Sequence, residues 1–158
     1  MCEAADAVIR PYEPCDWPRL MEIHDRARRD ELALAGLSDA FVPLAQAAVS
    51  ECLFDDTVIV AEAGGRVAAF AATDGDELAW LYVDPDLAGR GFGSALVRYV
   101  IDRHAGQTLH LEVLAGNEPA RRLYEKFGFQ TVETATGRMP GNERFAVTVL
   151  CMERAARR

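Results

Sequence analysis

Glycines stand at alternate positions of Ala88-Gly89-Arg90-Gly91-Phe92-Gly93. A strand-like apolar run ends just before them at Val83-Asp84-Pro85, and an apolar, helix-like run begins just after them at Ser94. A glycine turn lets successive backbone N–H groups point one way, and the first turn of a helix carries N–H groups with no partner of their own. Together they form a cradle for an anion. The chemistry offered by this spacing is the holding of a phosphate-bearing cofactor. No Gly-Lys-Ser or Gly-Lys-Thr follows the loop, which excludes a P-loop nucleotidase. The spacing also departs from the Gly-x-Gly-x-x-Gly of dinucleotide folds, and the loop lies mid-chain.

A second candidate is Glu112, inside the otherwise apolar run Leu109-His110-Leu111-Glu112-Val113-Leu114. Strand alternation places His110, Glu112 and Leu114 on one face and Leu109, Leu111 and Val113 on the other. A carboxylate so placed can accept a proton, and partial burial would raise its pKa toward a useful value. A solvated sheet face or an arginine partner explains it equally. Glu77, at the start of the preceding strand, is its rival. The cysteines at 2, 15, 52 and 151 show no Cys-x-x-Cys spacing and do not cluster with the histidines at 24, 104 and 110, so neither a metal site nor a disulfide framework is expected. Cys52 and Cys151 sit in apolar runs and read as small buried side chains.

The elements that must position these residues follow from hydrophobic periodicity. Val8–Arg10 reads as a first strand, Pro18–Leu34 and Val42–Leu53 as helices, and Thr57–Glu62 with Val67–Ala72 as a hairpin turning at Gly64-Gly65. Glu77–Val83 is the next strand, Ser94–His104 a helix, Thr108–Leu114 a strand, and Ala120–Phe127 a helix stopped by Gly128. Phe129–Thr134 and Phe145–Glu153 read as closing strands joined by a polar loop carrying Gly137, Pro140 and Gly141. Helices interleaved with strands imply a layered α/β or α+β domain.

The length of 158 residues suits a single domain, 1–158, with a full core. No run reaches the roughly 18 unbroken apolar residues of a membrane span, and the first residues, Met-Cys-Glu-Ala-Ala-Asp, lack the pattern of a secretory signal. A cytoplasmic setting, away from membranes, is expected. The formal net charge of -8 argues against a nucleic-acid surface and suits a cationic substrate such as an amine.

The segment 111–129 carries a further pattern. Asn117, Ala120, Tyr124, Gly128 and Phe129 fill every position of Asn-x-x-Ala-x-x-x-Tyr-x-x-x-Gly-Phe. With the glycine loop upstream, this stretch resembles the GNAT family of acetyl-CoA-dependent N-acetyltransferases, over roughly Thr57–Glu153. In motif it is closest to the members that act on protein N-termini. The resemblance implies a mixed, strongly twisted sheet of about six to seven strands flanked by helices.

The resemblance also implies site roles. Ala88, Gly89, Arg90, Gly91, Phe92, Gly93 and Ser94 would hold the CoA pyrophosphate. Ala88 stands where the family usually has Arg or Gln, which removes a side chain but leaves the backbone donors. Leu81, Tyr82 and Val83 would pair with the pantetheine arm across a splay from the strand at 109–114. A backbone N–H near Tyr82 would meet the thioester carbonyl oxygen. Asn117 and Ala120 would touch the cofactor, with Asn117 also able to cap the helix ahead of Pro119. Tyr124 would protonate the departing sulfur, and Glu112 would take the amine proton. Trp80 and Tyr82 share a face and either line the acceptor pocket or fill the core.

The expected function is acetyl transfer from acetyl-CoA to a primary amine, on a peptide N-terminus or a small molecule, without a metal. Another acyl-CoA donor, or a non-catalytic acyl-CoA sensor, is the alternative, and a monomer or homodimer is expected. The acceptor side would be built from 18–34, 42–53 and 137–144. Asp25, Asp30, Glu31, Asp39 and Glu51 are possible contacts for a cation, among which the sequence does not select. Arg138, Asn142 and Glu143 in the late loop are likewise open.

Overall fold

A computed structural model describes residues 6–157. Cys2 and Arg158 lie outside them. Strands β1 (Val8–Pro11), β2 (Thr57–Ala63), β3 (Arg66–Asp74), β4 (Glu77–Val83), β5 (Leu109–Leu114), β6 (Gln130–Met139) and β7 (Asn142–Arg154) form one sheet in the order β1-β2-β3-β4-β5-β7-β6. Neighbours are antiparallel except β4 and β5, which are parallel. The helices are α1 (Trp17–Leu34), α2 (Leu44–Ser50), α3 (Phe92–Arg103) and α4 (Glu118–Lys126).

Alternation along the strands divides the core into two layers. Ile59, Ala61, Ala69 and Ala71 pack with Leu111 and Val113 against Leu96, Val97 and Val100 of α3 and Tyr124 of α4. Val58, Val60, Phe70 and Trp80 point the other way, against Leu20 and Ile23 of α1 and Leu44 and Ala47 of α2. Because helices cover both faces, β2 and β3 are buried almost continuously along their lengths. A third cluster joins Leu32 of α1 to Leu114, Met139 and Val147. None of the described helices is long and apolar enough to cross a membrane.

The sheet opens in its middle. β4 and β5 share register at Glu77 and His110, where the His110 N–H also donates to the Asp76 carbonyl at 2.9 Å. Beyond that point the two strands separate, because each end is held by something else. β5 stays laddered to β7 as far as Leu114 and Val149. The end of β4 stays with β3, and the N–H of Asp84 just beyond it donates to the Ala68 carbonyl at 2.9 Å. Buried Asp84 is paired with both Arg19 and Arg26 of α1. The side of β4 that would face β5 therefore lacks ladder partners, as the splay expected from the sequence requires.

A bulge at Ala79 falls between the pairs Ala72–Trp80 and Thr73–Leu78. It shifts the alternation, so that Leu78 joins the α3 layer while Trp80 and Tyr82 face α1.

Several expectations are corrected. The stretch 137–144 is not a loop but the tip of a hairpin, with Gly137 paired to Val147 and Arg138 to Ala146; the cross-strand ladder overrides the weak strand preference of glycine. The second helix runs only from Leu44 to Ser50, ended by the left-handed backbone of Cys52, φ 53°. Helix α3 starts at Phe92 and α4 at Glu118, each two residues earlier than expected, because Gly91 and Asn117 act as their caps. Cys52 is exposed and Cys151 half-buried, so neither is the buried apolar filler expected.

Candidate active site

A cleft of about 580 Å³ runs along the splayed edge of β4. Its walls are Leu81, Tyr82 and Val83, then Ala88, Gly89 and Gly91–Ser94, then Asn117, Ala120 and Tyr124, with Glu112 at its inner end. The sequence-predicted site thus assembles in one place, with one departure: the Arg90 side chain does not line the cleft.

The glycine loop has the backbone its residues allow. Gly89 and Gly91 sit at φ 77° and 91°, a region that side-chain-bearing residues avoid, and Gly91 caps α3. The first helical bond of α3 runs from the Ala95 N–H to the Gly91 carbonyl at 2.9 Å, so the N–H groups of Phe92, Gly93 and Ser94 precede it. Gly93 answers a different need. A β-carbon there would lie 3.2 Å from the Leu123 side chain and 3.5 Å from that of Val83, so its absence lets α3 close against β4 and α4. Lys126 Nζ donates to Ser94 Oγ at 2.9 Å, which brings a cation to the same helix start. The loop donors, the added cation and the unladdered strand edge match a pyrophosphate followed by an extended amide-bearing arm. Among the described residues no cluster of side chains suits a metal ion.

Tyr124 is 7% exposed, its ring set edge-on to Phe129 at 5.8 Å. Its hydroxyl has no hydrogen-bond partner among the described residues. Burial, and secondarily the Glu31 carboxylate, pushes this phenol above its ordinary pKa. Asn117 is engaged within the protein at both ends of its side-chain amide. Its Oδ1 accepts from the Ala120 N–H at 3.3 Å, capping α4, and its Nδ2 donates to Glu31 Oε2 at 2.9 Å.

A second cleft, of about 520 Å³, lies on the α1–α2 side and is bordered by the β6–β7 hairpin. Glu31, Leu78, Ala79, Trp80, Tyr82 and Glu112 line both clefts, so the two meet where β4 leaves β5. The second cleft is acidic. Glu31, Glu51, Asp56, Asp74, Glu77 and Glu112 line it against Arg28 and Arg138. His24 is also in its wall, and burial lowers its pKa despite a 2.9 Å bond to Asp25.

Burial raises the pKa of Glu51, Asp56 and Glu77, and the charge of Glu112 raises Glu77 further. Glu112 itself is exposed, not partly buried as expected from its apolar strand, because the sheet opens beside it. Trp80 packs in the core, 7% exposed, and also lines both clefts.

Of the acidic residues that the sequence could not rank, Glu31 and Glu51 reach the acidic cleft. Asp30 lines only the first cleft, Asp39 lines neither, and Asp25 instead caps α2 by accepting the Leu44 N–H at 2.8 Å. Sequence reasoning missed Arg28, Asp56, Asp74 and Lys126. A signal for the first was present: His24, Arg28 and Glu31 recur at helical spacing as a polar stripe on α1, between apolar residues.

Comparison with known proteins agrees with this geometry. Residues 54–131 match the model of the acetyltransferase (GNAT) domain. The chain is 39% identical over 75 residues to the peptidyl-lysine N-acetyltransferase YiaC of Escherichia coli K12, covering 47% of this chain and 50% of that protein. It is 43% identical over 72 residues to the [ribosomal protein bS18]-alanine N-acetyltransferase of the same strain, covering 41% of this chain and 49% of that one. The matches therefore span about half the length of these curated relatives. In fold, a GCN5-related N-acetyltransferase from Rhodopseudomonas palustris superposes with a TM-score of 0.74 at 23% identity, over 94% of both chains.

Proposed function

We propose that this chain, which belongs to the GNAT family of acetyltransferases and is related to its peptide and N-terminal members, transfers the acetyl group of acetyl-CoA to a primary amine in a ternary complex. The observation that carries this reading is the meeting of two clefts at the splay, one suited to a phosphate-bearing thioester and the other acidic. The pyrophosphate lies against the N–H groups of the glycine loop and the start of α3. The pantetheine amides take the place of the missing β5 ladder along Leu81–Val83. This aims the thioester at the shared residues, and a backbone N–H near Tyr82 meets the charge that develops on its carbonyl oxygen.

The acceptor enters through the acidic cleft as an ammonium ion and gives up a proton before it attacks. That first proton goes to the surrounding water; as the nitrogen attacks, Glu112, which lines both clefts, takes the second amine proton directly or through a water. The nitrogen bonds to the carbonyl carbon and the carbon–sulfur bond breaks. Tyr124 donates its hydroxyl proton toward the departing sulfur. A phenol is protonated at neutral pH, as this role requires, and burial raises its pKa further. The acidic lining and the peptide substrates named for the relatives support an acceptor amine on a peptide N-terminus, a lysine or a small cationic molecule.

The test is thiol release from acetyl-CoA across a panel of amines and short peptides with varied N-termini and lysines. Acceptor-dependent release is expected, falling about 100-fold or more in Glu112→Gln and at least about tenfold in Tyr124→Phe. Binding of acetyl-CoA with no release toward any acceptor would favour a non-catalytic acyl-CoA sensor.

A further inference from the structure

Two contacts join α1 to the loop between β5 and α4, across the junction of the two clefts. Glu31 Oε2 accepts from Asn117 Nδ2 at 2.9 Å, while its other oxygen is paired with Arg28. Asn117 passes the contact on, since its Oδ1 caps the Ala120 N–H in the first turn of the helix that carries Tyr124. Beside it, Gly116 adopts φ 102°, and a β-carbon there would lie 2.8 Å from the Leu34 carbonyl at the end of α1. The helix that borders the acceptor cleft is thus locked, by a glutamate and a glycine, to the helix that aims the acid at the donor.

We propose that Glu31 is a positioning residue for the transfer reaction. Through Asn117 it sets where α4 begins and hence where the Tyr124 hydroxyl meets the donor sulfur. This rests on the acetyltransferase reading above. It also explains why Asn117 is spent on protein contacts at both ends although it lines the donor cleft. Glu31 needs no contact with the reacting atoms in this role; it acts by fixing one helix against another.

The hydrogen bond has a direction, and that makes it testable. Asn117→Asp keeps a good helix cap but sets a second carboxylate against Glu31. Adding Glu31→Gln reverses donor and acceptor across the same contact and restores it. Purified full-length variants are compared by acetyl-CoA calorimetry, by amide hydrogen exchange at Ala120 and by the split of kcat from KM in thiol release.

Asn117→Asp is expected to speed exchange at Ala120 and to lower kcat about tenfold, the size of a lost charge-assisted hydrogen bond, with the double variant recovering most of both. Equal impairment of the single and double variants, or no change at Ala120 in either, overturns the inference. Wild-type protein that neither binds acetyl-CoA nor releases thiol would overturn the acetyltransferase reading instead. The exchange measurement on the free protein then still decides whether Glu31 positions α4.

Discussion

Glu77 and Glu112 stand on neighbouring strands where β4 begins to leave β5, and their environments differ. Burial raises the Glu77 carboxyl, and the neighbouring charge of Glu112 raises it further, while Glu112 stands exposed at the opening. The neighbour contribution predicts that Glu112→Gln lowers the pKa of Glu77, measured by carboxyl-carbon NMR titration. An unchanged Glu77 would mean that burial alone sets it and that the two carboxylates do not interact across the junction. At this scale the sequence was legible where chemistry and spacing coincide. The glycines, Asn117, Tyr124 and Glu112 all fall in the clefts because each sits at a fixed offset within one of two strand–loop–helix segments, β4 to α3 or β5 to α4. Glu31 was not distinguishable, because its importance lies in facing Asn117, 86 positions away in sequence. A helix presents several acids, and only packing says which of them meets a partner.

At the scale of elements, the junction between β4 and the glycine loop depends on Asp84. Burial alone would raise its carboxyl pKa. The hydrogen bond from Arg19 and the N–H of Asp86, with the charges of Arg19 and Arg26, outweigh burial and hold it below the usual carboxylate range. A carboxyl lowered in the folded state contributes stability above its unfolded pKa, near 3.9, and that contribution is lost as pH falls through the lower folded value. Asp84→Ala is expected to destabilise the protein by about 1–3 kcal/mol, since it removes the buried carboxylate that ties Arg19 and Arg26 to the end of β4, while Arg19 keeps Glu22 and Arg26 keeps Asp86. Asp84→Asn should flatten the acid limb of the stability profile below about pH 4, as read by urea unfolding across pH. An unaltered acid limb would place the acid sensitivity elsewhere.

Most elements were readable from periodicity. The failures have physical causes. The stretch 137–144 carries loop-forming residues, yet its pairing with β7 extends the hairpin to Met139. The bulge at Ala79, which puts Leu78 and Trp80 into opposite layers, is a matter of register that the alternation of β4 alone does not reveal.

Across the whole molecule, the sheet works as a divided platform. Helices α3 and α4 cover one face and present backbone donors and a tyrosine. Helices α1 and α2 cover the other and present acids. The parallel pair β4–β5 parts between them, so the two clefts meet through the gap. Amide NMR during titration with acetyl-CoA tests most directly where the donor lies. The largest shifts are expected to cluster at Leu81–Val83, Gly89, Gly91–Ser94 and Ala120. Saturable binding with its shifts centred elsewhere, or no binding, would contradict this placement.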